Sequence, residues 1–303
     1  MSELEILERL RRRAPAEAAS GVAVGIGDDC AVVRLVRGED LLVTTDMLLE
    51  GVHFEPGTHS AAELGRKALV RALSDIAAMG GAPRFCLLSL AVPARADRRF
   101  LDGFLRGFLH LARRERVTLA GGDLARSEKM ACDVVVCGAV GRGGALRRNG
   151  ARPGDCIYVS GMLGGSALGL ETRRGAAWKR HRRPEPRLAL GQFLRRLRAT
   201  AAIDISDGLS LDLHRLAKAS GVAARLEAPP PVFPGASLEQ ALHGGEEYEL
   251  LFTVRPRTAV PESLGGVRLT RIGVICRGRP GAVWLGDEPL APLGYDHFRE
   301  RRR

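Results

Sequence analysis

Residues 41–81 read LLVTTDMLLEGVHFEPGTHSAAELGRKALVRALSDIAAMGG, and their reading decides the fold class. Leu41–Thr45 is a strand-like run that leaves a turn at Arg37–Asp40 and ends in Thr44-Thr45-Asp46. Ser60-Ala61-Ala62-Glu63 has the form of a capping box, in which the Ser and Glu side chains satisfy each other's backbone amides. It predicts a long helix ending at Gly80-Gly81, where glycine can take the left-handed cap. Between Ala68 and Met79 that helix is apolar almost all round, so an ionised Asp75 inside it needs a partner.

The same alternation continues outward. Ser2-Glu3-Leu4-Glu5 has the capping-box form and predicts a first helix, and Cys30–Val36 reads as a strand. Phe85–Val92 reads as a strand, Asp97–Glu115 as a helix, and Val117–Ala120 and Ala131–Val140 as strands. The polar, glycine-rich segment 141–154, with Pro153, marks a boundary between domains 1–145 and 146–303. The second half opens with a strand at Cys156–Ser160 and a helix start at Gly164-Gly165. A helix over Arg187–Arg198, a short strand into Asp204 and a helix from Asp207 to Ser220, closed by Gly221, follow. Pro229–Pro234 reads as a loop, Tyr248–Val254 and Arg268–Val274 as strands, and Arg299–Arg303 as a frayed end. The fold class is α/β (α+β) in two domains.

A chain of 303 residues, 45% hydrophobic, is long and apolar enough for two cores, which excludes disorder for its bulk. No apolar run approaches the about 18 residues of a membrane span. The charged stretch MSELEILERLRRR is no signal peptide, so a cytoplasmic protein is expected. The cysteines (Cys30, Cys86, Cys132, Cys137, Cys156, Cys276) are scattered without a CxxC and read as reduced, buried small hydrophobes. A net charge of +11 raises nucleic acid as a partner. Against it, the basic residues are dispersed and aromatics are only 5%, so no stacking platform exists. The densest basic run, Arg173–Arg187, reads as a solvated loop beside Pro184 and Pro186. An anionic substrate accounts for the charge as well, and no nucleic-acid partner is expected.

Carboxylates recur where strands end or turn: Gly27-Asp28-Asp29, Thr45-Asp46, Gly122-Asp123, Asp204-Ile205-Ser206-Asp207-Gly208 and Gly245-Glu246-Glu247. Singly, each can be a tight turn or a helix cap. Asp75 can be an ion-pair partner of Lys67 or Arg71, or a metal ligand. Together the carboxylates suit magnesium, which takes oxygen ligands from a few carboxylates plus substrate phosphates. Glycines beside them let backbone amides approach a phosphate. GxxxxGK[ST] is absent, as are the HRD and DFG signatures of protein kinases. Phosphoryl transfer without them rests on metals and positioning.

GIGDDCAV (25–32), TTDMLLEGVHF (44–54), KALVRALSDIAAMGGAP (67–83), GGD (121–123), IDISDGL (203–209), GGEEYELLFT (244–253) and GYDHF (294–298) form an ordered set. That set resembles the thiamine-monophosphate kinase family of the aminoimidazole ribonucleotide synthetase-like superfamily, over about Gly25 to Phe298. The resemblance implies an N-terminal ATP- and Mg²⁺-binding domain that dimerises through its strands, and a C-terminal domain that completes the active site. It implies ATP and several Mg²⁺ ions, with a monovalent cation as a further candidate, and thiamine monophosphate as acceptor with thiamine diphosphate as product. It places metal ligands at Asp29, Thr44, Thr45, Asp46, Asp75, Asp123, Asp204 and Asp207. ATP contacts fall at Gly122, Asp123, Arg148 and Ser206, and acceptor contacts at His53, Glu246 and Tyr295. Glu247 stands where the family has Asp, and Val52 where a polar residue is common.

No acid or base is assigned. A phosphate monoester has a second pKa of about 6, so the acceptor oxygen is already ionised at neutral pH. The obstacle is repulsion between two polyanions, which metal ions relieve. The alternatives are a sister enzyme acting on a purine precursor or selenide, and a basic nucleic-acid-binding protein with incidental acidic turns. A selenide enzyme should carry a reactive Cys ahead of the first glycine-rich loop, and residues 1–24 hold none.

Overall fold

The computed structural model describes residues 12–13, 21–24, 32–33 and 36–297. The chain forms two compact units: residues up to Ile76 with Gly81–Ala145, and Ala77–Gly80 with the residues from Leu146 onward.

The first unit contains the short antiparallel strands β1 (Val22–Val24) and β2 (Val32–Val33), then β3 (Glu39–Leu49), α1 (Ala61–Ala78), β4 (Ala82–Pro93), α2 (Arg98–Arg114), β5 (Thr118–Ser127) and β6 (Ala131–Gly141). Strands β3, β6, β4 and β5 form a four-stranded sheet in that order, with only β4 and β5 parallel. The Ser60 capping box forms: Glu63 N donates to Ser60 Oγ at 3.3 Å and Ser60 N to Glu63 Oε2 at 3.0 Å. The far end of α1 closes at Gly80 with φ 68°. Helices α1 and α2 cross backbone to backbone. A Cβ on Gly65 would lie 2.0 Å from the Phe104 carbonyl oxygen, and one on Gly107 1.9 Å from that of Ala62.

Two strands run further than the sequence suggests. Strand β3 continues past Thr45 because Leu48 is fully buried and pairing persists to Leu49 opposite Ala131. Gly121-Gly122-Asp123 lies inside β5 rather than after a strand, since β5 pairs with β4 as far as Pro93 and Ser127. Of Cys30–Val36, the described Val32 and Val33 form β2. The helix expected from Ser2, Asp28, Asp29 and Cys30, and the frayed end at Arg299–Arg303, lie outside the described residues.

The second unit contains β7 (Cys156–Ser160), α3 (Gly165–Thr172), α4 (Gly175–Arg182), α5 (Leu188–Arg196), β8 (Ala201–Ile205), α6 (Leu209–Ala219), β9 (Ala223–Leu226) and α7 (Leu238–His243). Strands β10 (Glu249–Val254), β11 (Ser263–Leu264), β12 (Val267–Cys276), β13 (Val283–Leu285) and β14 (Glu288–Pro289) complete it. Its sheet runs β14-β13-β9-β12-β7-β10-β8, with β11 beside β12, and every pairing except β9–β13 is antiparallel. Leu209, Leu213 and Leu216 of α6 pack with Ile157, Val159, Ile203, Ile205 and Leu251 in one core.

The basic run Arg173–Arg187 is not a solvated loop. It contains α4, and Arg180 and Arg187 pair with the buried carboxylates of Glu247 and Glu249. Burial of those acids draws the arginines inward, a long-range partnership that local composition cannot show. Of the described cysteines, Cys86, Cys132, Cys137 and Cys156 are buried and free as expected, and Cys276 is free but only half-buried. Burial pushes the Cys86 thiol far above its ordinary range, so it stays protonated and inert.

Candidate active site

Strand alternation sorts the first unit's candidates. Leu42, Thr44, Asp46 and Leu48 share the face toward α1, and Leu41, Val43, Thr45 and Met47 the opposite one. On the helix side, Thr44 Oγ1 donates to Asp75 Oδ2 at 2.5 Å. Arg71, expected beside Asp75, reaches Asp46 Oδ1 through Nε at 2.9 Å and Nη2 at 2.7 Å. Their side chains are 12% and 24% exposed, so the pair is charge-assisted and partly desolvated.

Thr45 lies on the other face and donates to Asp133 Oδ1 at 2.6 Å. The register aligns Met47, Asp133, Ser89 and Asp123 in one row across β3, β6, β4 and β5, so Asp123 shares Thr45's face. The expected set is therefore divided, with Thr44, Asp46 and Asp75 on one side of the sheet and Thr45 and Asp123 on the other. Asp123 is exposed and takes the Leu124 amide at 2.9 Å. Gly122 has a structural reason of its own: a Cβ there would lie 1.9 Å from the Leu88 carbonyl oxygen on β4.

His53 stands in the turn after β3. Leu49 N donates to its Nδ1 at 2.9 Å, and His53 N returns to Leu49 O at 2.9 Å. A ring nitrogen that accepts carries no proton, so neutral His53 keeps its proton on Nε2. Val52 beside it is half-exposed.

In the second unit, two loops meet. Glu246 N donates to Ser206 O at 2.7 Å and Tyr248 N to Ile205 O at 2.9 Å, which joins the α7–β10 loop to the β8–α6 loop. Tyr295 N donates to Asp207 O at 2.8 Å. Ser206, Asp207, Glu246 and Tyr295 are thus gathered at the start of α6. Asp204 is buried inside β8 just before them. Arg148 is held elsewhere: its carbonyl takes Ser220 Oγ at 2.7 Å, at the far end of the 11-residue α6. At 1.5 Å per residue Ser220 is roughly 18 Å along the helix axis from Gly208. The Arg148 side chain is exposed.

Asp212 and Arg215 organise this loop, and sequence reading passed over both. Asp212 Oδ2 accepts the amides of Asp207 and Gly208, each at 3.1 Å. Arg215 Nη1 donates to Asp207 Oδ2 at 2.5 Å and Asp212 Oδ1 at 2.9 Å. Burial, and then the charge of Asp207, push the Asp212 carboxyl up to about 7 despite the arginine and the amides. An acidic residue in the first turn of α6 was the available signal. The pairings of Arg71 with Asp46 and of Thr45 with Asp133 were missed for a different reason, since in each the partner lies on another strand or helix.

The gathered donors are carboxylate and hydroxyl oxygens, a chemistry that fits magnesium. Among the described residues no three His, Cys, Asp or Glu side chains form a closed metal cage. Magnesium tolerates this, because it keeps waters and substrate phosphates as ligands and needs only one or two carboxylates.

Residues 27–142 match the family described as AIR synthase related protein, N-terminal domain, and residues 152–285 its C-terminal domain. Thiamine-monophosphate kinase of Escherichia coli O157:H7 is 40% identical over 304 residues, covering 91% of this chain and 92% of the relative. The crystal structure of thiamine-monophosphate kinase from Stenotrophomonas maltophilia K279a matches with a TM-score of 0.85 at 36% identity, over 96% of this chain and 98% of that one. The structure of AaThiL complexed with AMPPCP and TMP matches with a TM-score of 0.78 at 33% identity, over 90% and 92%. By both family domains and by identity along nearly its whole length, the chain belongs to the thiamine-monophosphate kinase family.

Proposed function

We propose that this protein transfers the terminal phosphate of ATP directly to thiamine monophosphate, giving thiamine diphosphate. The observation that carries the reading is the match to thiamine-monophosphate kinases across about nine tenths of the chain, including a relative solved with AMPPCP and TMP.

In the first unit, Asp29, Thr44, Asp46 and Asp75 are the proposed Mg²⁺ donors, joined by Thr45 and Asp123 from the other face of the sheet. Asp204 and Asp207 are the second unit's share. Bound Mg²⁺ neutralises the phosphates and stabilises the transferring group. The protein's own residues position. Gly122, Asp123, Arg148 and Ser206 are assigned to ATP, and His53, Glu246 and Tyr295 to the acceptor. His53 Nε2–H is a donor aimed away from the Leu49 amide, which suits a contact role and not that of a base. The proposed domain roles are ATP and Mg²⁺ binding and dimerisation for residues 1–145, and the contacts assigned above to Asp204, Asp207, Glu246 and Tyr295 for residues 146–303.

The homodimer reading has support in β3, an edge strand whose Leu41, Val43 and Met47 are 46%, 62% and 50% exposed on one face. Such an apolar stripe, on a strand whose outer edge is unpaired among the described residues, needs a cover. No helix among the described residues is long and apolar enough to cross a membrane, and the proposed location is the cytoplasm, with a monovalent cation as a further proposed cofactor. The test is incubation with ATP, Mg²⁺ and each acceptor in turn, with products identified by mass. Thiamine diphosphate from thiamine monophosphate is expected. Reaction with a purine precursor or selenide alone would move the protein to a sister activity.

A further inference from the structure

We infer that Arg180 and Arg187 are positioning residues for the acceptor, holding the loop Gly244–Tyr248 so that Glu246 presents its carboxylate; this rests on the function proposed above. The loop contains two non-glycine residues in the left-handed region, Glu246 at φ 60° and Tyr248 at φ 51°. L residues rarely adopt that region, and keep it only where the surroundings over-determine them. The bonds to Ser206 and Ile205 supply part of the restraint.

Side chains supply the rest. Glu247, between the two left-handed residues, accepts from Ser166 N at 2.8 Å and Arg180 Nε at 2.9 Å. Glu249, two residues on, accepts from Arg180 Nη2 at 2.9 Å, Arg187 Nε at 2.8 Å, Arg187 Nη2 at 2.5 Å and Ser160 Oγ at 2.5 Å. Both carboxylates are fully buried. Arg180 therefore bridges two carboxylates with separate donors held in the rigid plane of its guanidinium, a geometry that the point charge of a lysine ammonium does not reproduce.

Glu246 faces differently. It is 21% exposed, and its Oε2 lies 3.4 Å from Nδ1 of His181, the neighbour of Arg180 on α4. His181 Nδ1 is also 2.9 Å from Ser166 Oγ. One stretch of α4 thus grips Glu247 and Glu249 through Arg180 and lies against Glu246 through His181. Buried ion pairs are a poor source of stability, because desolvation offsets the attraction. Placement of the loop is the better account of so many.

The test uses the full chain with Arg180→Lys and Arg187→Lys, reading both KM values, kcat and amide hydrogen exchange. Arg180→Lys is expected to raise the KM for thiamine monophosphate about tenfold, by loosening a contact residue. The KM for ATP should hold within about twofold, since the Ser206–Gly208 loop has its own support from Asp212. Exchange at the Glu246 and Tyr248 amides should quicken while β10 stays protected. A purely structural arginine would lower kcat per total protein and leave both KM values unchanged, and that result overturns the proposal. Unaltered exchange at Glu246 does the same. If Arg180→Lys fails to fold, Arg187→Lys, which alters only the grip on Glu249, carries the same readouts. If the wild-type protein does not use thiamine monophosphate, the functional reading falls, and exchange alone decides the loop's support.

Discussion

Arg71 of α1 places two donors on a single carboxylate oxygen of Asp46 on β3, and the next turn of the same helix offers Asp75 to Thr44 two residues earlier on that strand. The helix and the strand are locked by paired charge and hydroxyl contacts along a face that is otherwise apolar. That face is where metal-binding oxygens would be held ready, with Arg71 as counter-ion to Asp46.

Replacing Asp46 with Asn should abolish turnover while the fold survives. Losing one ligand charge is expected to lower kcat/KM at least about a hundredfold. Stability should fall by only about 1–2 kcal/mol, because Arg71 keeps a neutral acceptor. Phosphoryl transfer and urea unfolding measured side by side check both halves. Near-normal turnover at unchanged Mg²⁺ would remove Asp46 from the site.

Val43→Glu should convert a dimer to a monomer. The substitution puts a charge in the centre of the exposed Leu41–Val43–Met47 stripe and touches nothing on the α1 side. Sedimentation of wild type and variant at micromolar concentration is the measurement. A wild-type protein that is strictly monomeric there sinks the idea.

Asp212 predicts a pH dependence of stability in protein without Mg²⁺. Its folded pKa, about 7, lies above its ordinary value of 3.8, so the folded state holds this proton longer than the unfolded one. Its contribution is fully present below the unfolded pKa and is lost as pH rises through about 7. The slope can reach about 1.4 kcal/mol per pH unit. Asp212→Asn should flatten this component between those limits. Urea unfolding from pH 4 to 8 on both proteins decides it, and identical slopes would show that Asp212 is ionised throughout.

Gly122→Ala should destabilise the first unit by about 2 kcal/mol or more, whether or not ATP binds nearby, since the new methyl meets the backbone of β4. Denaturation without ligand is the check. An unchanged midpoint would mean that β4 and β5 part easily.

The acceptor requirement is the sharpest chemical expectation. Thiamine monophosphate should react and free thiamine should not, because a neutral hydroxyl needs a base and none is assigned. Free thiamine supplied as a competitor is expected to inhibit weakly, through Tyr295. Both acceptors with ATP and Mg²⁺, followed by separation of products, give the answer. Thiamine monophosphate formed from thiamine at a comparable rate would show that a base exists.

By itself the sequence determined what local chemistry controls. The Ser60–Glu63 capping box, the apolar helix closed by Gly80, the Asp97 cap of α2 and the alternation that sets Asp46 on Thr44's face are all fixed by neighbours a few residues away. The ordered motifs determined the family, because no single one needed a three-dimensional partner to be read. Tertiary structure alone decided the partnerships. Strand register put Asp123 on Thr45's side of the sheet. Burial of Glu247 and Glu249 drew Arg180 and Arg187 out of a run that looked like solvated loop. Arg71 met Asp46, 25 residues away. A charge takes whichever opposite charge the fold brings within hydrogen-bond reach as water is excluded, and separation along the chain carries no information about that.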